Sequence, residues 1–261
     1  MWFSYFIFIT FLFIQNAYSQ STTPERITFT VVYDNYVITE GTTADWGFSC
    51  LIQGMEKTIL FDTGTKTDIL KHNFEILEIN PSIIELLVLS HDHRDHTGGV
   101  SSILASNPGI PVYILPAFSF ATKTDLEKQQ AIVTPISNFT MICKNVYLTG
   151  IMGDQIKEQS LIVDSPRGLI VVTGCSHQGI VNIIKKSVEE LDKPIYLVFG
   201  GFHLLRHSDE EIKNIISDFH ALGVQKCGPT HCTGENAIAM FEADYAENFV
   251  SIGTGKTIII E

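Results

Sequence analysis

The sequence predicts an α/β fold in which two mixed β-sheets pack face to face and carry helices on their outer surfaces. Short runs of β-branched and aromatic residues alternate with amphipathic segments in both halves of the chain. Hairpin-like strand pairs are mixed with strand–helix–strand units, which favours two layers of sheet covered by helices. No linker rich in Pro, Gly or Ser divides the 261 residues. We therefore predict a single domain over residues 20–261, large enough to bury a substantial core.

In the first half, the predicted strands are rich in β-branched and aromatic residues. They cover residues 26–33, 48–53, 58–61, 83–89 and 111–115, and two or three more lie between 131 and 149. A helix is predicted over residues 67–79, with Thr67 as its N-cap, because the apolar side chains recur at helical spacing. A shorter helix is predicted over residues 98–106.

The second half repeats this alternation of strands and helices. The predicted strands cover residues 160–163, 169–173, 195–199, 224–227, 249–252 and 256–260. The predicted helices cover residues 179–191, 208–222 and 233–243. Ser208 and Glu211 have the spacing of a capping box at the start of the second of these helices.

The N-terminus has the pattern of a secretory signal peptide. Residues 1–14 (MWFSYFIFITFLFI) carry no charged side chain, and the run is too short to span a bilayer comfortably. Small residues follow at Ala17 and Ser19, so we predict cleavage between Ser19 and Gln20 and a signal peptide over residues 1–19. The mature chain is then expected to be secreted or in the lumen of the secretory pathway, without stable membrane insertion. The alternative is an uncleaved membrane anchor.

Charge and cysteine content narrow the class of protein. The formal net charge is −12 and no basic stripe is visible, so we expect a small-molecule substrate and no nucleic-acid partner. The five cysteines are irregularly spaced without a CxxC pair, which favours buried free thiols over a disulfide scaffold. There is no GxSxG elbow, Walker loop or GxGxxG after a strand. The oligomeric state is not predicted.

The strongest functional signal is a cluster of metal-ligating side chains directly after the predicted strand 83–89. It contains His91, His93, Asp95 and His96 within six consecutive residues. Zinc prefers nitrogen and sulfur ligands and also accepts carboxylate oxygen. In an extended turn, side chains two residues apart point the same way, so His91 and His93 can share one metal. Asp95 and His96 are offset and could serve a second metal close by.

This cluster is the HxHxDH signature of the metallo-β-lactamase superfamily, and the chain resembles that superfamily over most of its mature length. Further matching segments are LFDTG at residues 60–64, GCSH at 174–177, GGFHL at 200–204 and HCTG at 231–234. The last three, together with VYDNY at 32–36, are similar to the subgroup that includes the archaeal-type dihydropterin–ribofuranosylaminobenzene phosphate synthases. The resemblance implies a four-layer αββα sandwich with one or two metal ions, commonly zinc.

The resemblance also implies a ligand set. His91 and His93 would bind the first metal, and Asp95 and His96 the second, with His231 as a late ligand. Hydrolytic members usually carry an Asp that bridges both metals at the position where this sequence has Cys175. The Cys175 thiolate could bridge the two ions or bind only one of them. Alternatively, Cys175 is a buried structural cysteine.

Two further positions remain open. The third ligand of the first metal is either Glu158 or His177, and we favour His177 because imidazole is the commoner zinc ligand. His203 is expected to act as a substrate contact or proton donor, with a structural histidine as the alternative. His72, His207 and His220 are expected at the surface.

These features predict a metal-dependent hydrolase that uses metal-activated water on a small ester, lactone, thioester or phosphoester, with Asp95 both ligating and orienting that water. One alternative is a transferase like the synthases of the subgroup, although an exported protein would not meet an intracellular diphosphate-activated pterin. Another is a catalytically inactive protein that binds a metal or ligand. Specificity is expected to lie in the loops 40–48, 116–130 and 150–160.

Overall fold

The computed structural model describes residues 26–261, and the predicted signal peptide lies outside these residues. A seven-stranded sheet forms the first layer of the core. Its spatial order is β13-β1-β2-β3-β4-β5-β6, in which β3 to β6 run parallel and the remaining pairs are antiparallel. The strands are β1 (Ile27–Tyr33), β2 (Ser49–Gln53), β3 (Ile59–Phe61), β4 (Leu86–Val88), β5 (Pro111–Ile114), β6 (Ile132–Pro135) and β13 (Thr257–Ile260).

A six-stranded sheet forms the second layer. Its order is β12-β11-β10-β9-β8-β7, with β10, β11 and β12 parallel and the others antiparallel. The strands are β7 (Thr140–Cys143), β8 (Val146–Leu148), β9 (Leu161–Ser165), β10 (Gly168–Thr173), β11 (Ile195–Gly201) and β12 (Lys226–Thr230).

The two sheets pack face to face through alternate side chains of their strands. Phe29 of β1 meets Phe199 of β11 edge to face, with 5.6 Å between ring centroids, and both are fully buried. Val88, Val172 and Phe61 belong to the same inter-sheet cluster. Because both faces of the central strands are covered, β10 is buried along its whole length, as near-continuous apolar runs predict.

Helices cover the outer face of each sheet. The first sheet carries α1 (Thr67–Ile76), α3 (Val100–Ser106) and α4 (Phe120–Lys128), and the second carries α5 (Ile180–Leu191), α6 (Asp209–Ala221) and α7 (Glu235–Tyr245). A single turn, α2 (Arg94–Thr97), lies within the histidine cluster. The predicted four-layer αββα arrangement is confirmed. None of the helices within residues 26–261 has the length and apolar character needed to cross a membrane.

Several element boundaries were predicted wrongly, each for a local reason. The N-cap of α1 is Lys66, and Thr67 is the first helical residue. The strand predicted over 83–89 is limited to Leu86–Val88, because Pro81–Ile83 forms a 3₁₀ turn. The helix α4 lies in a segment predicted as a loop. Of its side chains only Leu126 is buried, so it has no apolar stripe to detect.

At the C-terminal end of the chain, residues 249–252 do not form the predicted strand. This segment pairs with β12 through one isolated bridge, between Phe249 and Cys227. The predicted capping box of α6 is confirmed, since the Ser208 hydroxyl accepts from the Glu211 backbone N–H and the Glu211 carboxylate accepts from the Ser208 N–H. All five cysteines are free, and four of them are buried, as predicted.

Candidate metal centre

The carboxyl ends of five strands meet at one edge of the two sheets. Asp62 follows β3, and the histidine cluster begins three residues after β4 ends. From the second sheet, Cys175, His203 and His231 lie one or two residues beyond β10, β11 and β12. Polar side chains that are far apart in sequence therefore converge at this edge, which is where layered α/β folds usually place their sites.

The first donor set consists of three histidines, His91, His93 and His177, whose ligand atoms lie within 4.8 Å of one another. The Nε2 of His91 and the Nδ1 of His93 are 3.0 Å apart. The ring centroids of His91 and His93 lie 4.8 Å and 5.1 Å from that of His177. Two nitrogens bound to one zinc ion, each at about 2.0–2.1 Å, would be at a comparable separation.

Neighbouring side chains orient two of these rings. The Nδ1 of His91 is 2.9 Å from Ser90 Oγ, which itself donates to Asp62 at 2.7 Å and so is left to accept from the imidazole. The Nδ1–H of His177 donates to Glu158 Oε2 at 2.9 Å. An imidazole that donates through Nδ1 presents Nε2 as a free lone pair, so both rings offer a metal ligand toward the cluster.

The second donor set contains Asp95, His96, Cys175 and His231. The Cys175 Sγ is 3.2 Å from the Nε2 of His96 and 3.6 Å from the Nε2 of His231. The Oδ2 of Asp95 lies 3.5 Å from each of these two nitrogens. One thiol, two imidazoles and one carboxylate thus surround a common point, which is a complete tetrahedral set for zinc.

The two imidazoles of this set are also held by hydrogen bonds at their far nitrogens. His96 donates through Nδ1 to the buried Asp62 carboxylate at 2.7 Å. His231 donates through Nδ1 to Asn35 Oδ1 at 2.9 Å, while the Asn35 amide donates to the His231 carbonyl at 2.7 Å. Such outer contacts fix the ring orientation and raise the basicity of the ligating nitrogen.

The electrostatic field of the centre favours positive charge. Burial opposes ionisation of Asp95, but hydrogen bonds from His231 and His96 outweigh it and hold the pKa of Asp95 well below its usual range. Burial alone would lower the pKa of His96, but the adjacent Asp62 carboxylate raises that pKa to about 10. A divalent cation in place of the His96 proton would satisfy the same negative field, so the side chains present fit a metal.

His91 has the opposite character, since burial and then the nearby His96 charge hold its pKa well below the ordinary value. A neutral imidazole is the form that binds a metal. In Glu158, the unfavourable effect of burial is outweighed by the field of His91 and the hydrogen bond from His177, so the pKa of this carboxyl is well below its usual range. The surroundings therefore keep Asp95 and Glu158 ionised.

Backbone strain is concentrated at this edge. Asp62, Ser176, His203 and His231 all have positive φ, at 58°, 66°, 55° and 46°. Such conformations cost non-glycine residues of order 1–3 kcal/mol each and persist only where the surroundings impose them. Each of these residues lies within three residues of the end of a strand, where the chain turns sharply at the edge that carries the donor sets.

A third group of donors overlaps the first two. Cys175 and His177 lie with His203 within 4.8 Å by their ligand atoms, and the rings of His177 and His203 are 4.4 Å apart. His203 is exposed, and together with His177 it lines a cleft of about 860 Å³ that is completed by residues 151–156 and by α5 side chains. His203 is therefore placed at the mouth of the centre, beside the cleft through which a substrate would approach.

All seven residues predicted as metal ligands fall within these donor sets: His91, His93, Asp95, His96, Cys175, His177 and His231. Glu158, the alternative ligand, belongs to none of them. Its two oxygens accept the backbone N–H groups of residues 175 to 177 and the His177 ring, so it shapes the loop that carries the ligands. His207 and His220 are exposed as predicted, and His72 is half-buried against the Gly41 carbonyl.

Three polar contributors were not predicted from the sequence: Asp62, Ser90 and Asn35. Asp62 and Asn35 lie in the segments LFDTG and VYDNY, which resemble the superfamily. The sequence therefore marked these segments, but it did not indicate that the two side chains hold histidines of the centre. Trp46 was also missed. Its indole N–H donates to Asp95 Oδ2 at 3.0 Å and its ring centroid lies 5.1 Å from that of His231. The only sequence signal for Trp46 is its place in a loop predicted to set specificity.

Comparisons with known proteins identify relatives of this chain. The family model of the metallo-β-lactamase superfamily matches residues 45–181. A 7,8-dihydropterin-6-methyl-4-(β-D-ribofuranosyl)-aminobenzene-5′-phosphate synthase of Methanocaldococcus jannaschii is 33% identical, over 81% of this chain and 89% of the relative. An uncharacterised protein of the same organism is 27% identical over 82% of this chain and 93% of its own length.

Solved structures give the same picture. One described as a metal-dependent hydrolase of the β-lactamase superfamily is 30% identical, with a TM-score of 0.76 over 89% of this chain and 98% of that one. The metallo-β-lactamase fold protein YhfI of Bacillus subtilis matches with a TM-score of 0.65 at 14% identity, over 90% of this chain and 99% of its own, and so shows the shared fold alone.

Proposed function

Since this chain belongs to the metallo-β-lactamase superfamily, we propose that it is a metal-dependent hydrolase with a two-metal centre at the carboxyl edge of its sheets. Zinc fits the imidazole, thiol and carboxylate donors best, and another divalent ion is possible on the same ligands. The substrate class we propose is a small ester, lactone, thioester or phosphoester.

The observation that carries this proposal is the unequal size of the two donor sets. The three-histidine set leaves a fourth tetrahedral position open, as catalytic zinc sites do, whereas the set around Cys175 supplies four protein ligands, as closed sites do. Zinc bound there would supply a Lewis acid and lower the pKa of a bound water to near neutrality. A metal site with one free coordination position, next to a site with four protein ligands, suits attack by water on a substrate held at the same edge of the sheets.

The chain's own residues have distinct roles in this proposal. Asp95 stays ionised and keeps one oxygen among the donors of the second set while it orients the attacking water with the other. His203, exposed at the cleft beside His177, contacts the substrate and donates a proton to the leaving group. Its pKa is raised, first by a hydrogen bond with Cys232, which favours the protonated form needed for that role.

A transferase is the second candidate, and two observations favour it. The synthase of Methanocaldococcus jannaschii is 33% identical over most of both chains. Cys175 also stands where hydrolytic members usually carry a bridging Asp, which suits a site that needs a Lewis acid more than a hydroxide. In that case the metals would neutralise an anionic leaving group such as a diphosphate.

We also propose that the protein is exported and acts outside the cell or in the secretory lumen. The support is the sequence of residues 1–19, with its uncharged apolar run and small residues before Gln20. Mass spectrometry of the N-terminus after expression in a secreting host is expected to find Gln20 as the first residue. A chain retained with Met1 and recovered in membranes would favour the anchor instead.

The proposed function is tested by metal stoichiometry together with turnover. Elemental analysis of the wild-type protein is expected to give two zinc ions per chain, with a loss on His93→Ala and on Cys175→Ala, while His72→Ala, away from both donor sets, keeps both ions. Hydrolysis on an ester and phosphodiester panel should disappear in His93→Ala.

Other outcomes of the same experiment select among the alternatives. Release of pyrophosphate from a pterin diphosphate, without hydrolysis, would select the transferase. Two zinc ions without turnover on either assay would indicate a binding protein, and a chain that retains no metal would overturn the proposal.

A further inference from the structure

Trp46 is an exposed aromatic side chain on a rigid loop. Its relative exposure is 48%, although large aromatic side chains usually bury most of their surface. The backbone is tied down on both sides of the residue, because the Asp45 N–H donates to the Asp34 carbonyl at 3.1 Å and the Gly47 N–H donates to Asn35 Oδ1 at 3.0 Å. The Thr65 hydroxyl also donates to the Trp46 carbonyl. The indole is therefore presented to solvent by a fixed backbone.

The indole sits directly on the candidate metal centre. Its N–H donates to Asp95 Oδ2, the oxygen that also faces the Nε2 atoms of His96 and His231. The close approach of the loop needs glycine at position 47, where φ is +146° and a Cβ would lie 2.6 Å from the Asp95 carbonyl oxygen. The loop is thus built to hold the indole against this carboxylate.

We propose that Trp46 forms a wall of the substrate site and stacks on a planar conjugated ring of the substrate. This inference rests on the proposed function and narrows its substrate class to esters or phosphoesters whose reacting group is joined to such a ring. The indole packs at an angle of 57° against the His231 ring, which leaves it half-exposed toward solvent. The exposed face of the indole favours a planar ring, because stacked aromatic pairs are stabilised by more than the burial of their apolar area alone.

The indole N–H adds a positioning role. By donating to Asp95 it fixes the rotamer of a donor-set carboxylate without taking both of its oxygens. Binding of the ring and orientation of the carboxylate are therefore linked through one side chain. Trp46→Phe separates the two roles, because phenylalanine keeps an aromatic face and lacks the donor, whereas Trp46→Leu removes both.

The sequence itself provides the reporter. The chain has 2 tryptophans, Trp2 and Trp46, so the full-length protein with Trp2→Phe carries Trp46 as its one indole fluorophore. The probes are phenylphosphonate and cyclohexylphosphonate, which share the anionic group and ring size and differ in planarity and aromaticity, and neither can be hydrolysed as an ester. Affinities are measured by calorimetry on zinc-loaded and zinc-free protein, with Trp46 emission recorded in parallel.

We expect phenylphosphonate to shift or quench Trp46 emission and to bind about 10-fold more tightly than cyclohexylphosphonate, which corresponds to the upper part of the range for aromatic pairs. Trp46→Leu should reduce this preference to about one, and Trp46→Phe should keep part of it. Met141→Ala, an exposed apolar side chain on β7, is the control and should leave the preference unchanged.

The outcomes separate this inference from the proposed function. Two bound zinc ions with equal affinities for the two phosphonates would overturn the stacking role and leave the hydrolase proposal standing. A preference that survives in Trp46→Leu would also overturn it. A chain that binds no zinc but shows a Trp46-dependent preference would support the stacking role and overturn the metal-dependent function, and a chain that shows neither would overturn both.

Discussion

Replacing Glu158 with glutamine should destabilise the loop that carries two candidate ligands, Cys175 and His177. The carboxylate is fully buried and accepts four hydrogen bonds. Oε1 accepts the N–H groups of Cys175 and Ser176 at 2.6 Å and 2.9 Å, and Oε2 accepts the N–H and the Nδ1–H of His177, both at 2.9 Å. Glutamine presents an NH₂ group to one of these pairs, so two buried donors lose their acceptor.

The magnitude follows from that count. Each buried donor left without a partner costs about 1–3 kcal/mol, and the removal of one member of a buried charged network typically costs about 3–5 kcal/mol. We therefore expect Glu158→Gln to lower the free energy of unfolding by about 3–5 kcal/mol, a large part of the usual stability of a domain. Zinc affinity at the three-histidine set should fall about 10- to 100-fold, because His177 loses the contact that orients its ring.

Urea unfolding of the metal-free protein measures the first effect, and zinc titration with a competing chelator measures the second. Glu85→Gln is a matched control, since Glu85 also accepts a backbone N–H, from Thr58, and pairs with Lys57, but its side chain is 45% exposed. This control should change stability by less than about 1 kcal/mol. If Glu158→Gln costs no more than the control and binds zinc as tightly as the wild type, the anchoring role of Glu158 is wrong.

Three further predictions follow from the outer contacts of the centre and from the fold. Asn35→Ala should weaken zinc binding about 10- to 100-fold at the four-donor set, because His231 loses the acceptor of its Nδ1–H. Zinc affinity at the three-histidine set should stay unchanged. Competition with a chelator measures both affinities, and equal losses at the two sets would contradict the prediction. Burial raises the pKa of Asp34 from 3.8 to about 7. Between about pH 4 and pH 7 the Asp34 carboxyl is therefore protonated in the folded state and ionised in the unfolded state. The stability of the metal-free wild type relative to Asp34→Asn should therefore fall as pH rises from about 4 to 7, by up to about 4 kcal/mol in urea unfolding, and a pH-independent difference would refute the assignment. Ser208→Ala should cost about 1 kcal/mol in thermal unfolding through loss of the capping box, with no change in zinc content.

The layered fold and half of the candidate centre were predictable from local sequence. Alternating apolar residues indicate a strand with one buried face, and continuous apolar runs indicate a strand buried on both faces. These patterns predicted the ends of β1, β10 and β11 to within two residues. His91, His93, Asp95 and His96 were found because the chain places them next to one another. The helix α4 was missed because its stability comes from contacts that leave no periodic pattern, such as the pairing of its first turn with Asp92.

What the sequence by itself determined is the chemistry of the donors and the succession of strands and helices, since both depend on residues that are neighbours along the chain. The resemblance to the superfamily implied Cys175, His177 and His231 as further ligands, although no local pattern places them beside the histidine cluster. Only the tertiary structure showed why they meet it, because β10 and β12 end at the same edge as β4, and strand order is not encoded in any local period. Burial likewise decided that Glu158 anchors a loop and does not join a donor set, because four N–H groups around its carboxylate leave no oxygen lone pair directed at a metal.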